Sequence, residues 1–138
     1  MPETSPTMSI RFRHLLAALL MGLSVLNVSA QTLPTHLDAR QAAAWLKANP
    51  KAVVLDVRTP EEFRQGHLPN AVNVNYQATD FEQQLARLDK TRPYLVHCAV
   101  GGRSTRSLPV LEKLGFSRVY HLDGGLQRWQ QAGLPVVQ

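Results

Sequence analysis

The chain holds one cysteine, Cys98, in the segment Val96-His97-Cys98-Ala99-Val100-Gly101-Gly102-Arg103-Ser104. Three properties of this segment favour a thiolate over a thiol. Gly101 and Gly102 tolerate positive φ, so the chain after Cys98 can curl and aim successive backbone N–H groups inward. A nest of that kind binds anions. A helix starting near Ser104 presents its positive end to the same point. Arg103 adds a planar, permanently charged fork suited to an oxyanion. A stabilised cysteine thiolate is a nucleophile near neutral pH. The expected chemistry is therefore attack by Cys98, with Ala99, Val100, Gly101, Gly102, Arg103 and Ser104 as the anion-binding cradle. A cysteine considered alone packs as a small hydrophobe more often than it reacts. The two glycines, the arginine and the strand-end position reverse that balance.

Other polar residues have quieter readings. Asp56 closes an apolar run; its expected role is pairing with backbone N–H groups or with an arginine, and its charge can also act on the site. Arg58 either helps to bind an anion or pairs with Glu61 or Glu62. Arg106 lies three residues after Arg103 on one helical face. It either adds field at the mouth of the site or is solvated. His67 is read as a loop hydrogen-bonder. His97 points to the opposite side of its strand from Cys98. His121 is read as a strand residue with no catalytic part. The five histidines show no metal-ligand spacing, so no metal site is expected. A single cysteine also excludes an intrachain disulfide framework and multi-cysteine metal sites.

The elements that must hold this loop alternate between strand and helix. Asp38 caps a helix through ARQAAAWLKA that ends at Asn49-Pro50. Ala52 to Val57 is a short apolar, β-branched run suited to a strand buried on both faces. Pro60-Glu61-Glu62 opens a short helix, with proline in the first turn and acids at the positive dipole end, and Gly66 stops it. Ala71 to Val74 reads as a strand. Thr79-Asp80 caps a helix marked by Phe81, Leu85 and Leu88. PYLVHC, ending at Cys98, is a buried strand. Leu108, Leu111 and Leu114 mark a helix closed by Gly115. Arg118 to Leu122 is a strand, and Gly124 to Gly133 a final short helix. This order implies one α/β domain with a mainly parallel sheet flanked by helices on both faces. Ligands of such sheets bind outside the C-terminal strand ends, where Cys98 lies.

The N-terminus reads as an export signal: Arg11, Arg13 and His14, then the uncharged stretch Leu15 to Val28, then Val28-Ser29-Ala30 before Gln31. The apolar stretch is shorter than the ~20 residues of a membrane-spanning helix. Residues 1–30 are accordingly expected to be a cleavable signal peptide and residues 31–138 the domain, with no stable membrane anchor after cleavage. Either Met1 or Met8 serves as the start. Removing 30 of 138 residues leaves 108, and removing Arg11, Arg13 and Glu3 lowers the net charge from +5 to +4. The remaining basic residues are scattered and not interleaved with aromatics, which argues against a nucleic-acid partner. Apolar and charged contents of 44% and 18% exclude a disordered chain, a collagen and a coiled coil.

Taken together, the motifs resemble the single-domain rhodanese-like sulfurtransferases. The Cys-x-x-Gly-x-Arg loop matches at Cys98, Gly101 and Arg103. Leu55-Asp56-Val57-Arg58-Thr59-Pro60-Glu61-Glu62-Phe63 resembles the family's first signature, and Gly66-His67-Leu68-Pro69-Asn70-Ala71-Val72-Asn73 its next block. Leu122-Asp123-Gly124-Gly125, Trp129 and Gly133-Leu134-Pro135-Val136 resemble its C-terminal end. The resemblance implies transfer of sulfane sulfur from a donor such as thiosulfate to a cyanide or thiol acceptor, through a Cys98 persulfide and without any cofactor. A periplasmic or secreted location and a thiol-redox protein partner are consistent with it. Cysteine phosphatases place one residue more between cysteine and arginine; Ser104 occupies that position here, which disfavours phosphate-ester chemistry. The competing readings are a regulatory or binding module on the same fold and a thiol stress sensor.

Overall fold

A computed structural model describes residues 34–138. The expected signal peptide, residues 1–30, lies outside the described residues. Five strands form one sheet in the order β1-β5-β4-β2-β3, and every pairing is parallel. The strands are β1 (Thr35–Leu37), β2 (Val53–Asp56), β3 (Val72–Asn73), β4 (Tyr94–His97) and β5 (Val119–Leu122). The helices are α1 (Ala39–Ala48), α2 (Pro60–Arg64), α3 (Phe81–Ala86), α4 (Gly102–Lys113) and α5 (Gly125–Gln131). Among the described residues no helix is long and apolar enough to cross a membrane.

The central strands β2 and β4 are buried along their whole length. This follows from their position between two helical layers, and it explains why their sequences are continuous apolar runs rather than alternating ones. Side-chain alternation then divides the core in two. Val53, Leu55, Val57, Tyr94, Val96 and Cys98 pack against α3 and α4 through Phe81, Leu85, Leu108 and Leu111. Val54, Leu95 and Leu122 face α1 and α5, meeting Ala39, Ala42, Leu126 and Trp129. Cys98 thus belongs to the α4 side of the sheet.

The helix ends follow their local chemistry. Asp38 and Gln41 form a reciprocal capping box on α1, and Thr59 and Glu62 form another on α2. Asp80 does not cap α3 with its side chain, contrary to the sequence expectation. Its backbone is not extended (φ −105°, ψ 20°), and its carboxylate instead accepts from Gln84 Nε2 at 2.8 Å. Strand β1 has no sequence signature. It is three residues long, lies at the sheet edge, and is defined only by its pairing with β5.

Candidate active site

Cys98 directly follows β4, and the chain then turns through Gly101 into α4. Gly101 has φ +117°, a left-handed conformation that glycine adopts without the strain a side chain brings. The turn carries the Gly101 N–H to 3.1 Å from Cys98 Sγ. Ser104, in the first turn of α4 and fully buried, places its hydroxyl 3.4 Å from the same sulfur. The back of the loop is held by the start of α5. Leu126 N donates to Cys98 O at 2.9 Å, and Gln127 N to Ala99 O at 3.0 Å. A Cβ on Gly125 would lie 2.4 Å from Cys98 O. The Gly124-Gly125 pair therefore lets one helix N-terminus brace the loop that starts another.

These contacts decide the state of the thiol. Burial pushes the Cys98 pKa up, but the hydrogen bonds from the Ser104 hydroxyl and from the backbone N–H groups of Ser104, Gly101 and Val100 outweigh it. The net direction is below the ordinary thiol value. Of the residues expected to form the cradle, Gly101 and Ser104 make the closest contacts to the sulfur. Val100 is 62% exposed at the rim.

The arginines are used differently from expectation. Arg103 does not hold a free fork toward the sulfur. Its Nη1 and Nη2 donate to Glu62 Oε1 and Oε2 at 2.7 and 2.8 Å. Glu62 sits at the third position of α2, 41 residues away in sequence, and its pairing with Arg103 lowers its pKa from 4.5 to about 2. The loop is thus clamped to α2 by a bidentate ion pair. Arg58 pairs with neither Glu61 nor Glu62 through its charge. It is 4% exposed and binds the Asp56 carboxylate, with Nη2 2.6 Å from Oδ2, as well as the carbonyls of Glu62 and Gly66. A guanidinium so enclosed has no fork left for a ligand. Asp56 lies on the sheet face opposite Cys98 and accepts from the Arg58 backbone N–H as well. The two form a buried brace between β2 and α2. Arg106 is exposed, near Gly102 and 5.9 Å from the Tyr76 ring centroid.

The histidines divide in the same way. His97 faces away from the thiol, and its Nδ1 bonds the Cys98 carbonyl at 3.0 Å. His67 Nδ1 bonds the Phe63 carbonyl at 2.9 Å, and its ring stacks on Phe63. His121 was not expected at the site. It lies on the α4 side of β5, and its Nε2 is 2.7 Å from Ser104 Oγ. Its Nδ1 contacts Asp123 Oδ1 at 2.9 Å. Burial lowers the His121 pKa despite the Asp123 carboxylate, so the ring is neutral near pH 7. A chain of contacts therefore runs from Asp123 through His121 and Ser104 to Cys98. The signal for it is tertiary, because it needs β5 beside β4 and the inward face of α4 turned onto β5.

Residues 34–132 match the family model for the rhodanese-like domain. A sulfurtransferase of Allochromatium vinosum is 29% identical over 102 residues, covering 74% of this chain and 94% of that protein. The thiosulfate sulfurtransferase GlpE of Vibrio cholerae is 33% identical over 101 residues, covering 73% and 92%. Among solved structures, the rhodanese-related protein of Thermoplasma volcanium superposes with a TM-score of 0.65 at 31% identity, over 75% of this chain and 97% of that one. Sheet order, loop and relatives agree: the chain belongs to the rhodanese-like domain family.

Proposed function

We propose that the protein is a rhodanese-type sulfurtransferase that carries sulfur on Cys98. The thiolate attacks the outer sulfur of a donor such as thiosulfate. The new S–S bond forms as the donor's S–S bond breaks, and sulfite leaves with its electron pair. The terminal persulfide sulfur is anionic and sits where the loop N–H groups converge. An acceptor nucleophile then attacks that sulfur, giving thiocyanate from cyanide or a hydropersulfide from a thiol, and the Cys98 thiolate is regenerated. The atoms balance without any cofactor. The observation that carries this reading is the pair of donors on Cys98 Sγ, from Gly101 and Ser104, at a strand end facing a helix N-terminus. The sulfurtransferase relatives support it. In the same reading, residues 1–30 direct export, and the domain works in the periplasm or outside the cell with a small-molecule or protein thiol as acceptor.

Incubation with thiosulfate should add one sulfur atom to the intact mass, mapped to Cys98, and cyanide should release it as thiocyanate. Cys98→Ser should abolish both. Absence of the added sulfur with thiosulfate and with other sulfane donors, or thiocyanate formation by Cys98→Ser, overturns the proposal. N-terminal sequencing of the exported protein should begin at Gln31, and retention of the intact N-terminus overturns the cleavage.

A further inference from the structure

His36 and His121 are partners in the parallel register of β1 and β5. Asp123 follows His121 by two residues. Asp123 Oδ1 lies 2.8 Å from His36 Nδ1 and 2.9 Å from His121 Nδ1, and the two Nδ1 atoms are 3.2 Å apart. Three ligand atoms therefore converge on one point, although the residues are too far apart in sequence to show any ligand spacing. We propose that His36, His121 and Asp123 hold one divalent cation of the zinc class, in an open site with three protein ligands.

The geometry fits that ion. Tetrahedral zinc with bonds of about 2.0–2.2 Å sets neighbouring ligand atoms about 3.3 Å apart. The observed separations need to open by only a few tenths of an ångström. Two imidazoles and a carboxylate suit zinc better than calcium or magnesium, which take oxygen-dominated shells. Without an ion, two imidazole nitrogens crowd a single carboxylate oxygen. A cation bound by all three lone pairs replaces those competing protons. The His121 side chain is 3% exposed, whereas those of His36 and Asp123 are 49% and 53% exposed. The ion therefore enters from solvent, and water takes the remaining position. The Asp123 N–H bonds Leu37 O at 2.9 Å, so backbone pairing holds the ligand-bearing segments together.

The site also reaches the thiol. The hydroxyl of Ser104 has one proton and three acceptors in range: His121 Nε2 at 2.7 Å, Gly101 O at 3.1 Å and Cys98 Sγ at 3.4 Å. With a proton on His121 Nδ1, Nε2 is an acceptor and competes with Cys98 Sγ for the Ser104 proton. With a metal on Nδ1, Nε2 carries the proton and donates to Ser104, as metal-bound histidines do toward their outer partners. The Ser104 proton is then free for Cys98 or Gly101 O. Occupancy thereby biases Ser104 toward the sulfur. This coupling rests on the thiolate reading of Cys98; the binding itself does not.

Titration of the purified protein with Co²⁺ tests binding, with the visible absorption of four-coordinate Co²⁺ as the readout. One ion per chain is expected, displaced by one equivalent of Zn²⁺ and retained in Cys98→Ala. His36→Ala should abolish the bands, and Asp123→Asn should weaken binding by about tenfold or more. Circular dichroism establishes that both variants are folded. No binding up to millimolar Co²⁺, binding unchanged in folded His36→Ala, or binding lost in Cys98→Ala overturns the site. For the coupling, Zn²⁺ should speed alkylation of Cys98 in the parent and not in Ser104→Ala or His36→Ala. Equal rates with and without Zn²⁺ in the parent overturn the coupling alone.

Discussion

Glu62→Gln isolates the clamp between α2 and the Cys98 loop. Glutamine at the third helical position still completes a capping box with Thr59, so the substitution removes the charge and spares the helix start. In the parent, the carboxyl titrates at about 2 instead of 4.5, chiefly because Arg103 hydrogen-bonds to it. Converted directly, that difference is about 3.4 kcal/mol. The Glu62 side chain is 34% exposed and that of Arg103 18%, so solvent screens the pair, and exposed pairs yield about 0.2–1 kcal/mol. The bidentate geometry and partial burial place this pair at or somewhat above the top of that range, about 1–1.5 kcal/mol. Because the folded pKa is depressed, this stabilisation is fully present above pH ~4.5 and is lost as pH falls towards 2. Urea unfolding of parent and Glu62→Gln should therefore differ by about 1–1.5 kcal/mol at pH 7, equivalent to a Tm drop of about 4–8 °C for a domain of this size. The gap should close steadily between pH 4.5 and pH 2 and narrow in high salt. Equal stability at pH 7, or a gap that does not depend on pH, would refute the reasoning.

Arg58→Met should cost about 3–5 kcal/mol in urea unfolding, since it leaves the Asp56 carboxylate buried without its counter-charge; a loss below 1 kcal/mol would contradict the brace. Gly125→Ala should cost more than 2 kcal/mol, because φ +59° strains any side chain by about 1–2 kcal/mol and the new Cβ meets Cys98 O and Ala99 backbone atoms at 2.4 and 2.8 Å. The alkylation rate of Cys98 should rise with pH through an inflection below the ordinary thiol value, as its lowered pKa dictates. An inflection at or above the free-thiol value would show that burial, rather than the hydrogen bonds, dominates.

Local chemistry made much of this protein readable from its residues. The alternation of apolar runs with 3.6-residue patterns implied a parallel sheet covered on both faces, and α1 spans the residues read from periodicity and capping alone. The Cys98 loop was equally legible, since a glycine at positive φ, a helix start and a strand end are all encoded within a few residues. The opposite facing of His97 followed from the two-residue period of a strand. Long-range pairing was not legible. β1 is too short and exposed to carry a pattern, and Asp80 adopts a turn conformation that capping rules do not foresee. Choosing a partner for a charged side chain needs the geometry of distant segments. Arg103 therefore closed on Glu62 from another helix, and Arg58 turned to Asp56 rather than to the acids beside it in the chain. The three-residue convergence of His36, His121 and Asp123, and its path through Ser104 to the sulfur, exists only because β1 and β4 flank β5. The sequence by itself determined the backbone that surrounds Cys98 and the glycine turn that follows it, because those are short-range properties. Only the tertiary structure decided which charges remain available and which side chains share a proton, because those depend on strand order and on the angle at which helices lie on the sheet.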